Sequence, residues 1–399
     1  MHSKLIVFAL FQTLLSTTLF AQGLQHHEIR PDRLPPPFHT PSSTNPPRVV
    51  KRPPGAELTL PPRFRISVWA EGFNNPRNMM LAPNGDVFVA DTDGGSVIVL
   101  RDTNADGSPD QRFPFATGLN EPFGLAIEGG HLYVGNTDAV VRFPYKSGQT
   151  AAAGKPQQIA ALPPGGHSTR NLIFSPDGRK LYVAVGSRSN VSVETDPTRA
   201  AITEMNPDGT GATIFASGLR NPVGLARNPT TGALWTAVNE RDGLGDDLVP
   251  DYITAVRRDG FYGWPYSYIG KNADPRRKGE GTSLMAKALV PSVLIQAHSA
   301  ALGLAFYDGK MFPVKYRGGA FVALHGSWNR TRRTGYSVVH VPFRDGKPAG
   351  GYDDFVIGWA PDSTSRTVWG RPVGLLVLRD GSLLIADDGG SIIWRVTYQ

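Results

Sequence analysis

Arg220-Asn221-Pro222-Val223-Gly224-Leu225, followed by the apolar run Ala233–Val238, carries the pattern that decides the fold. A polar approach leads through proline into a short apolar strand, a turn follows, and a second strand closes on small or acidic residues. Proline suits the first position of a strand, where no ladder donor is needed. The order recurs as Asn75-Pro76-Arg77-Asn78-Met79-Met80-Leu81, with the turn Pro83-Asn84-Gly85 and the strand Asp86–Asp91. It returns as Glu121-Pro122-Phe123-Gly124-Leu125 with Leu132-Tyr133-Val134, and as Arg170-Asn171-Leu172-Ile173-Phe174 with Pro176-Asp177-Gly178 and Leu181–Val185. Leu302-Gly303-Leu304-Ala305-Phe306 with Ala320–Leu324, and Arg371-Pro372-Val373-Gly374-Leu375 with Asp380-Gly381 and Leu383–Asp387, complete six copies.

The leucines at positions 81, 125, 172, 225, 304 and 375 are separated by 44, 47, 53, 79 and 71 residues. Periods in the forties match four-stranded propeller blades, and the longer gaps read as loop insertions. A sheet that cannot bury its own face must stack on neighbours, and radial stacking leaves few exposed edges. A sandwich would not repeat one approach motif in this way. The expected fold is therefore all-β, a six-bladed β-propeller over residues 63–399.

Upstream of the repeats, residues 22–62 are dense in proline (Pro35, Pro36, Pro37, Pro46, Pro47, Pro53, Pro54, Pro61, Pro62), which predicts an extended arm or linker. Residues 1–21 read as a signal peptide: Lys4, an apolar stretch from Leu5 to Leu15 broken by Gln12 and Thr13, then small residues up to a cut after Ala21. A stretch this short does not reach the ~20 apolar residues of a membrane span. The expectation is a periplasmic or secreted protein with no membrane span once the leader is removed.

Composition narrows the chemistry. With 0 cysteines, the chain has no disulfides, thiolate metal sites, thiol nucleophile or c-type haem attachment. The net charge of +7 is spread out, with no contiguous basic stripe, which argues against nucleic acid as a partner. Radial symmetry brings the approach segments to one end of a central channel, where Arg77, Asn78, His167, Arg170, Arg220, Asn221, His325, Trp328, Asn329, Arg330 and Arg371 would become neighbours. Arginine's planar fork suits carboxylates, so these side chains predict a small ligand with more than one negative charge, unless each pairs with a nearby acid. His167 follows Pro163-Pro164-Gly165-Gly166, a flexible approach to a cavity, and is a candidate general base.

Three stretches carry a family resemblance. His167 followed by Asn171-Leu172-Ile173-Phe174-Ser175-Pro176-Asp177-Gly178-Arg179-Lys180-Leu181-Tyr182-Val183 resembles the catalytic-histidine blade of the quinone-dependent glucose/sorbosone dehydrogenases. Gly218-Leu219-Arg220-Asn221-Pro222-Val223-Gly224-Leu225-Ala226 resembles their next blade, and Gly260-Phe261-Tyr262-Gly263-Trp264-Pro265-Tyr266 is similar to a signature loop. The likeness runs from Arg65 to Tyr398. It implies oxidation of a sugar with pyrroloquinoline quinone (PQQ) and Ca2+ as cofactors, electrons passing to an external cytochrome or quinone. It further implies His167 as the base, with Arg220 and Asn221 holding the quinone and the charge that develops on it. Glu240-Arg241-Asp242-Gly243 falls where the family places calcium, which makes Asp242 and Gly243 the expected carbonyl ligands. Asp246 and Asp247 lie just beyond.

Soluble glucose dehydrogenases of this kind place a lysine on a late blade. Here the chain has His325-Gly326-Ser327-Trp328-Asn329-Arg330, which resembles the sorbosone and pyranose dehydrogenase branch. The same comparison makes Arg77, His325, Trp328, Arg330 and Arg371 expected cofactor contacts. Asp102-Thr103-Asn104-Ala105-Asp106-Gly107-Ser108-Pro109-Asp110 reads either as an inter-strand turn or as a partial calcium loop, with Phe113 where the loop's closing Glu would stand. Two other functions fit the same fold: a calcium-dependent lactonase or esterase, and a non-catalytic propeller that binds a glycan or protein.

Overall fold

The computed structural model describes residues 23–399, so the expected leader lies outside the described residues. Six antiparallel sheets follow one another along the chain, as the repeats predicted. Blade one comprises Pro76–Leu81, Val87–Asp91, Ser96–Arg101 and Gln111–Ala116; blade two, Gly124–Glu128, His131–Gly135, Ala139–Pro144 and Gln157–Ala161. Blade three comprises Arg170–Phe174, Leu181–Val185, Ala201–Met205 and Thr213–Ser217, extended by the parallel strand Gly260–Phe261. Blade four comprises Pro222–Arg227, Leu234–Val238, Asp251–Ala255 and Val293–Ile295; blade five, Ala301–Phe306, Ala320–Leu324, Ser337–Val341 and Tyr352–Val356.

Blade six is built from both ends of the propeller. Pro372–Val377, Leu383–Asp387 and Ile392–Tyr398 are joined by the early strand Phe64–Glu71, which pairs with Ile392–Tyr398. This strand closes the ring and removes two open edges at once. Phe64 anchors it, meeting Phe312, Tyr316, Phe355 and Tyr398 edge-on with centroids 4.8 to 5.3 Å away.

The core is divided among the gaps between neighbouring blades, one apolar cluster to each gap. The first strands crowd the axis, which explains the recurring Gly of Gly124, Gly224, Gly303 and Gly374. A Cβ there would collide with the neighbouring blade's backbone at Arg170, Leu302, Val373 and Arg77 respectively. In blades one and three the related positions are Asn78 and Asn171, and Asn78 Nδ2 donates to Asn171 Oδ1 at 3.3 Å inside the channel. Among the described residues, no helix is long and apolar enough to cross a membrane.

Candidate active site at the channel mouth

The start of each first strand lies opposite the end of the second: Pro76 pairs with Asp91, Arg170 with Val185, Pro222 with Val238, Ala301 with Leu324 and Pro372 with Asp387. Because the blades repeat by rotation, the approach segments and the loops after the second strands share one end of the channel. The acids that end some second strands fasten those segments. Asp91 Oδ1 accepts from Asn75 N at 2.5 Å, and Asp387 Oδ1 accepts from Arg371 N at 2.6 Å. The side chains expected to converge thus share the mouth, in two groups.

His167, Arg220 and Asn221 form the first group around Gly186, whose Cβ would strike both Asn221 and His167. The His167 loop is not flexible: Arg199 donates to the carbonyls of Pro163, Pro164 and Gly165, and the fully buried Arg170 to those of Pro163, Thr169 and His167. His167 Nδ1 lies 2.8 Å from Ser187 O. A carbonyl only accepts, so Nδ1 carries the proton and Nε2 keeps its lone pair. Burial, followed by the nearby Arg220 guanidinium, pulls the His167 pKa down to about 4, so the imidazole is neutral at ordinary pH.

Arg220 is buried but loosely held. Its contacts are all long: Asn190 Oδ1 at 3.2 Å, Asn239 O at 3.4 Å, and Asp242 Oδ2 and Asn239 Oδ1 at 3.5 Å. Arg220 Nε and Asn221 Oδ1 are buried without a hydrogen-bond partner among the described residues. Orphaned polar atoms of this kind cost free energy unless a ligand satisfies them.

The second group centres on the buried Asp388. His325 Nε2 lies 2.7 Å from Asp388 Oδ1, and Arg77 Nε lies 3.3 Å from Oδ2, off hydrogen-bond alignment. Burial alone would raise the Asp388 pKa, but His325 and Arg77 hold it below the usual carboxylate range. Arg371 donates to His325 O at 3.1 Å and lies 6.0 Å from the ring of Trp328, which is 53% exposed. The loop 325–333 connects the two groups.

Several expectations need correction. Arg77, Arg220 and Arg330 each face an acid (Asp388, Asp242, Asp247), so the arginines alone do not demand a polyanionic guest. Arg330 pairs with Asp247 at 2.7 Å and braces its loop. Asp102–Asp110 folds as an inter-strand turn whose carboxylates accept from its own N–H groups, including Gly107 N to Asp102 at 2.7 Å and Thr103 N to Asp110 at 3.0 Å.

Of the two expected calcium ligands, the Asp242 carbonyl is already engaged. Asp242 O accepts from Asn190 Nδ2 at 2.9 Å and from Arg276 Nη1 at 2.7 Å, which uses both carbonyl lone pairs. The Asp242 side chain is engaged as well, with Arg220 and with His298 Nδ1 at 3.0 Å. Among the described residues, no group of three or more His, Cys, Asp or Glu is placed to hold a metal.

Sequence reasoning missed Asn190, Arg199, Arg276, His298 and Asp388. All but Asp388 sit in loops without a counterpart in other blades. The consecutive acids Asp387 and Asp388 were a usable signal: one fastens the approach segment and the other charges the mouth.

The proline-rich arm crosses this same face. Phe38 N donates to Leu244 O at 2.8 Å, Asp246 N to Thr40 Oγ1 at 2.8 Å, and Asn45 N to Trp328 O at 2.6 Å.

Fold and site together define a six-bladed propeller with a braced neutral imidazole and an under-bonded guanidinium at one end of its channel. The chain belongs to the TrAA12-like family, whose sequence model matches residues 58–250 and 271–399. An uncharacterized protein of Borreliella burgdorferi is 29% identical over 362 residues, covering 86% of this chain and 91% of that one. The pyrroloquinoline quinone-dependent pyranose dehydrogenase of Coprinopsis cinerea is 23% identical over 84% of this chain, a match that takes up 54% of that longer protein. The structure of a Trichoderma reesei family AA12 enzyme superposes with a TM-score of 0.76 at 21% identity, covering 89% of this chain and 100% of that one, a likeness of fold.

Proposed function

We propose that the protein is a quinoprotein sugar dehydrogenase, an oxidoreductase that oxidises an aldose, pyranose or sorbosone-like sugar and passes the electrons to an external acceptor. The observation that carries this reading is His167: Nδ1–H fixed on Ser187 O, Nε2 bearing a lone pair, and the loosely held Arg220 beside it. Membership of the family and the named relatives support the cofactor class. The unpartnered Arg220 Nε and Asn221 Oδ1 fit a group rich in carbonyl and carboxylate oxygens held through ordered water and guanidinium.

Pyrroloquinoline quinone, when bound, supplies a two-electron acceptor. His167 Nε2 takes the hydroxyl proton of the sugar as the carbon bearing that hydroxyl gives up its hydrogen with the bonding pair. Ser187 O keeps the imidazole in the tautomer that can do so. Arg220, a buried guanidinium with an unpartnered Nε, would hold the bound acceptor and stabilise negative charge on it. Arg77, beside Asp388, and Arg371, held on the His325 backbone, would supply further positive charge to carboxylates of the bound group. The leader read at residues 1–21 supports export, with electrons leaving to a carrier outside the cytoplasm.

The test is reconstitution of the purified protein with PQQ and measurement of dye reduction over a panel of aldoses and pyranoses. Sugar-dependent reduction that is lost without PQQ upholds the reading; none across the panel overturns it.

A further inference from the structure

The network beneath the Asp242 carbonyl is built with unusual care. Asp274 is fully buried and caps the 3-10 turn Pro275–Arg277, accepting from Arg276 N at 3.0 Å. The same carboxylate grips the Arg276 side chain twice, at Nε (2.9 Å) and Nη2 (2.8 Å). Such a bidentate grip fixes the guanidinium plane, leaving Nη1 aimed outward. Nη1 meets Asp242 O at 2.7 Å. Asp274 is held in turn by Arg241, which is fully buried and donates to Glu240, Pro265 O and Ser267 O. A fixed positive charge therefore stands on the carbonyl that a divalent ion would have to ligate, a short step from Arg220 and His167.

We propose that Arg276 takes the place of a divalent cation at the Asp242 carbonyl, so that this protein holds its quinone without calcium there. The inference rests on the quinone reading above. Calcium needs six to eight oxygen ligands, and here one of the two expected carbonyls has no free lone pair. A second cation on that oxygen would also face the guanidinium across a few ångströms. Arg276 and Arg220 together supply the positive charge, and Asp274 keeps Arg276 from swinging away.

Two measurements on the full chain test this. The first is calcium titration by calorimetry without quinone, for the wild type and for Arg276→Met, which keeps length and removes charge. The inference expects a calcium site in Arg276→Met that the wild type lacks; equal calcium binding by both proteins overturns it. The second is PQQ titration followed by tryptophan fluorescence, in chelator and in calcium. Wild-type affinities should agree within about threefold, while Arg276→Met should bind at least about tenfold more weakly in chelator and recover in calcium. Arg276→Lys, which retains the charge, should stay calcium-insensitive if Arg276→Met is compromised in folding. Wild-type affinity that collapses in chelator and returns with calcium overturns the inference. Absence of PQQ binding in either buffer overturns the functional reading, and the calcium titration still decides the question at Asp242.

Discussion

The two halves of the channel mouth use similar residues to opposite ends. Each has a half-buried histidine whose pKa falls to about 4 through loss of solvent first and a neighbouring arginine second, Arg220 for His167 and Arg371 for His325. Yet His325 is bonded to a carboxylate, and Asp388 also balances Arg77. The His167 ring meets only neutral oxygens of Ser187, and the arginine beside it is under-bonded. A low pKa therefore does not mark the reactive imidazole. What separates the two is the partner of the histidine: His325 meets the Asp388 carboxylate, with Arg77 Nε left unbonded beside it, whereas His167 meets Ser187 and both Arg220 Nε and Asn221 Oδ1 stay unpartnered.

The largest effect should come from His167→Ala. Loss of a general base is expected to lower kcat/KM by about 10³-fold, read by dye reduction, whereas His325→Gln should cost about tenfold at most. Equal losses would break the contrast. Asp388→Asn comes next. It leaves Arg77 and His325 without their shared anion in a buried site, so thermal or denaturant unfolding should show a loss of about 3 kcal/mol.

The repeat was legible because its cause is local: a proline at the strand start, a glycine where backbones cross the axis, and an acid that fastens its own blade's approach segment. Those needs recur in most blades, so they leave a period in the sequence. His167, Arg220 and Asn221 were legible because they sit at fixed offsets from that period. Asn190, Arg276 and His298 were not, since each reaches the site from an irregular loop and its position depends on contacts such as Arg276 with Asp274. The bonding of the Asp242 carbonyl was illegible for a related reason: sequence places a backbone oxygen at the site but does not reveal which donors already meet it.

A smaller effect concerns pH. With His167 neutral down to about 4, the acid limb of kcat/KM should fall near pH 4, well below the ordinary histidine value of 6.5. The sign follows from the proton: below that pH Nε2 is occupied and no longer a base, and above it the base is available. Arg220 is the second cause of the depression, so Arg220→Met should move the acid limb upward. His325→Gln should leave it in place, which separates the two histidines by a profile instead of a rate.

The smallest effect tests what joins the halves. The loop 325–333 starts at His325 and ends beside the arm, where Asn45 Nδ2 donates to Arg330 O at 3.2 Å and Thr331 O at 3.1 Å. Arg333 Nη2 donates to Asn45 Oδ1 at 3.1 Å, and Asn45 N holds Trp328 O. Asn45→Ala keeps the backbone bond and deletes the side-chain bonds, at about 1 kcal/mol each or less in part-exposed surroundings. Neither His167 nor Asp388 is touched, so kcat should stay unchanged. The loosened Trp328 loop should raise the sugar KM by about three- to fivefold, because it must be ordered again when substrate binds. A fall in kcat with unchanged KM would mean that the arm acts on the imidazole itself, and the two halves would then be coupled through the strap that crosses them.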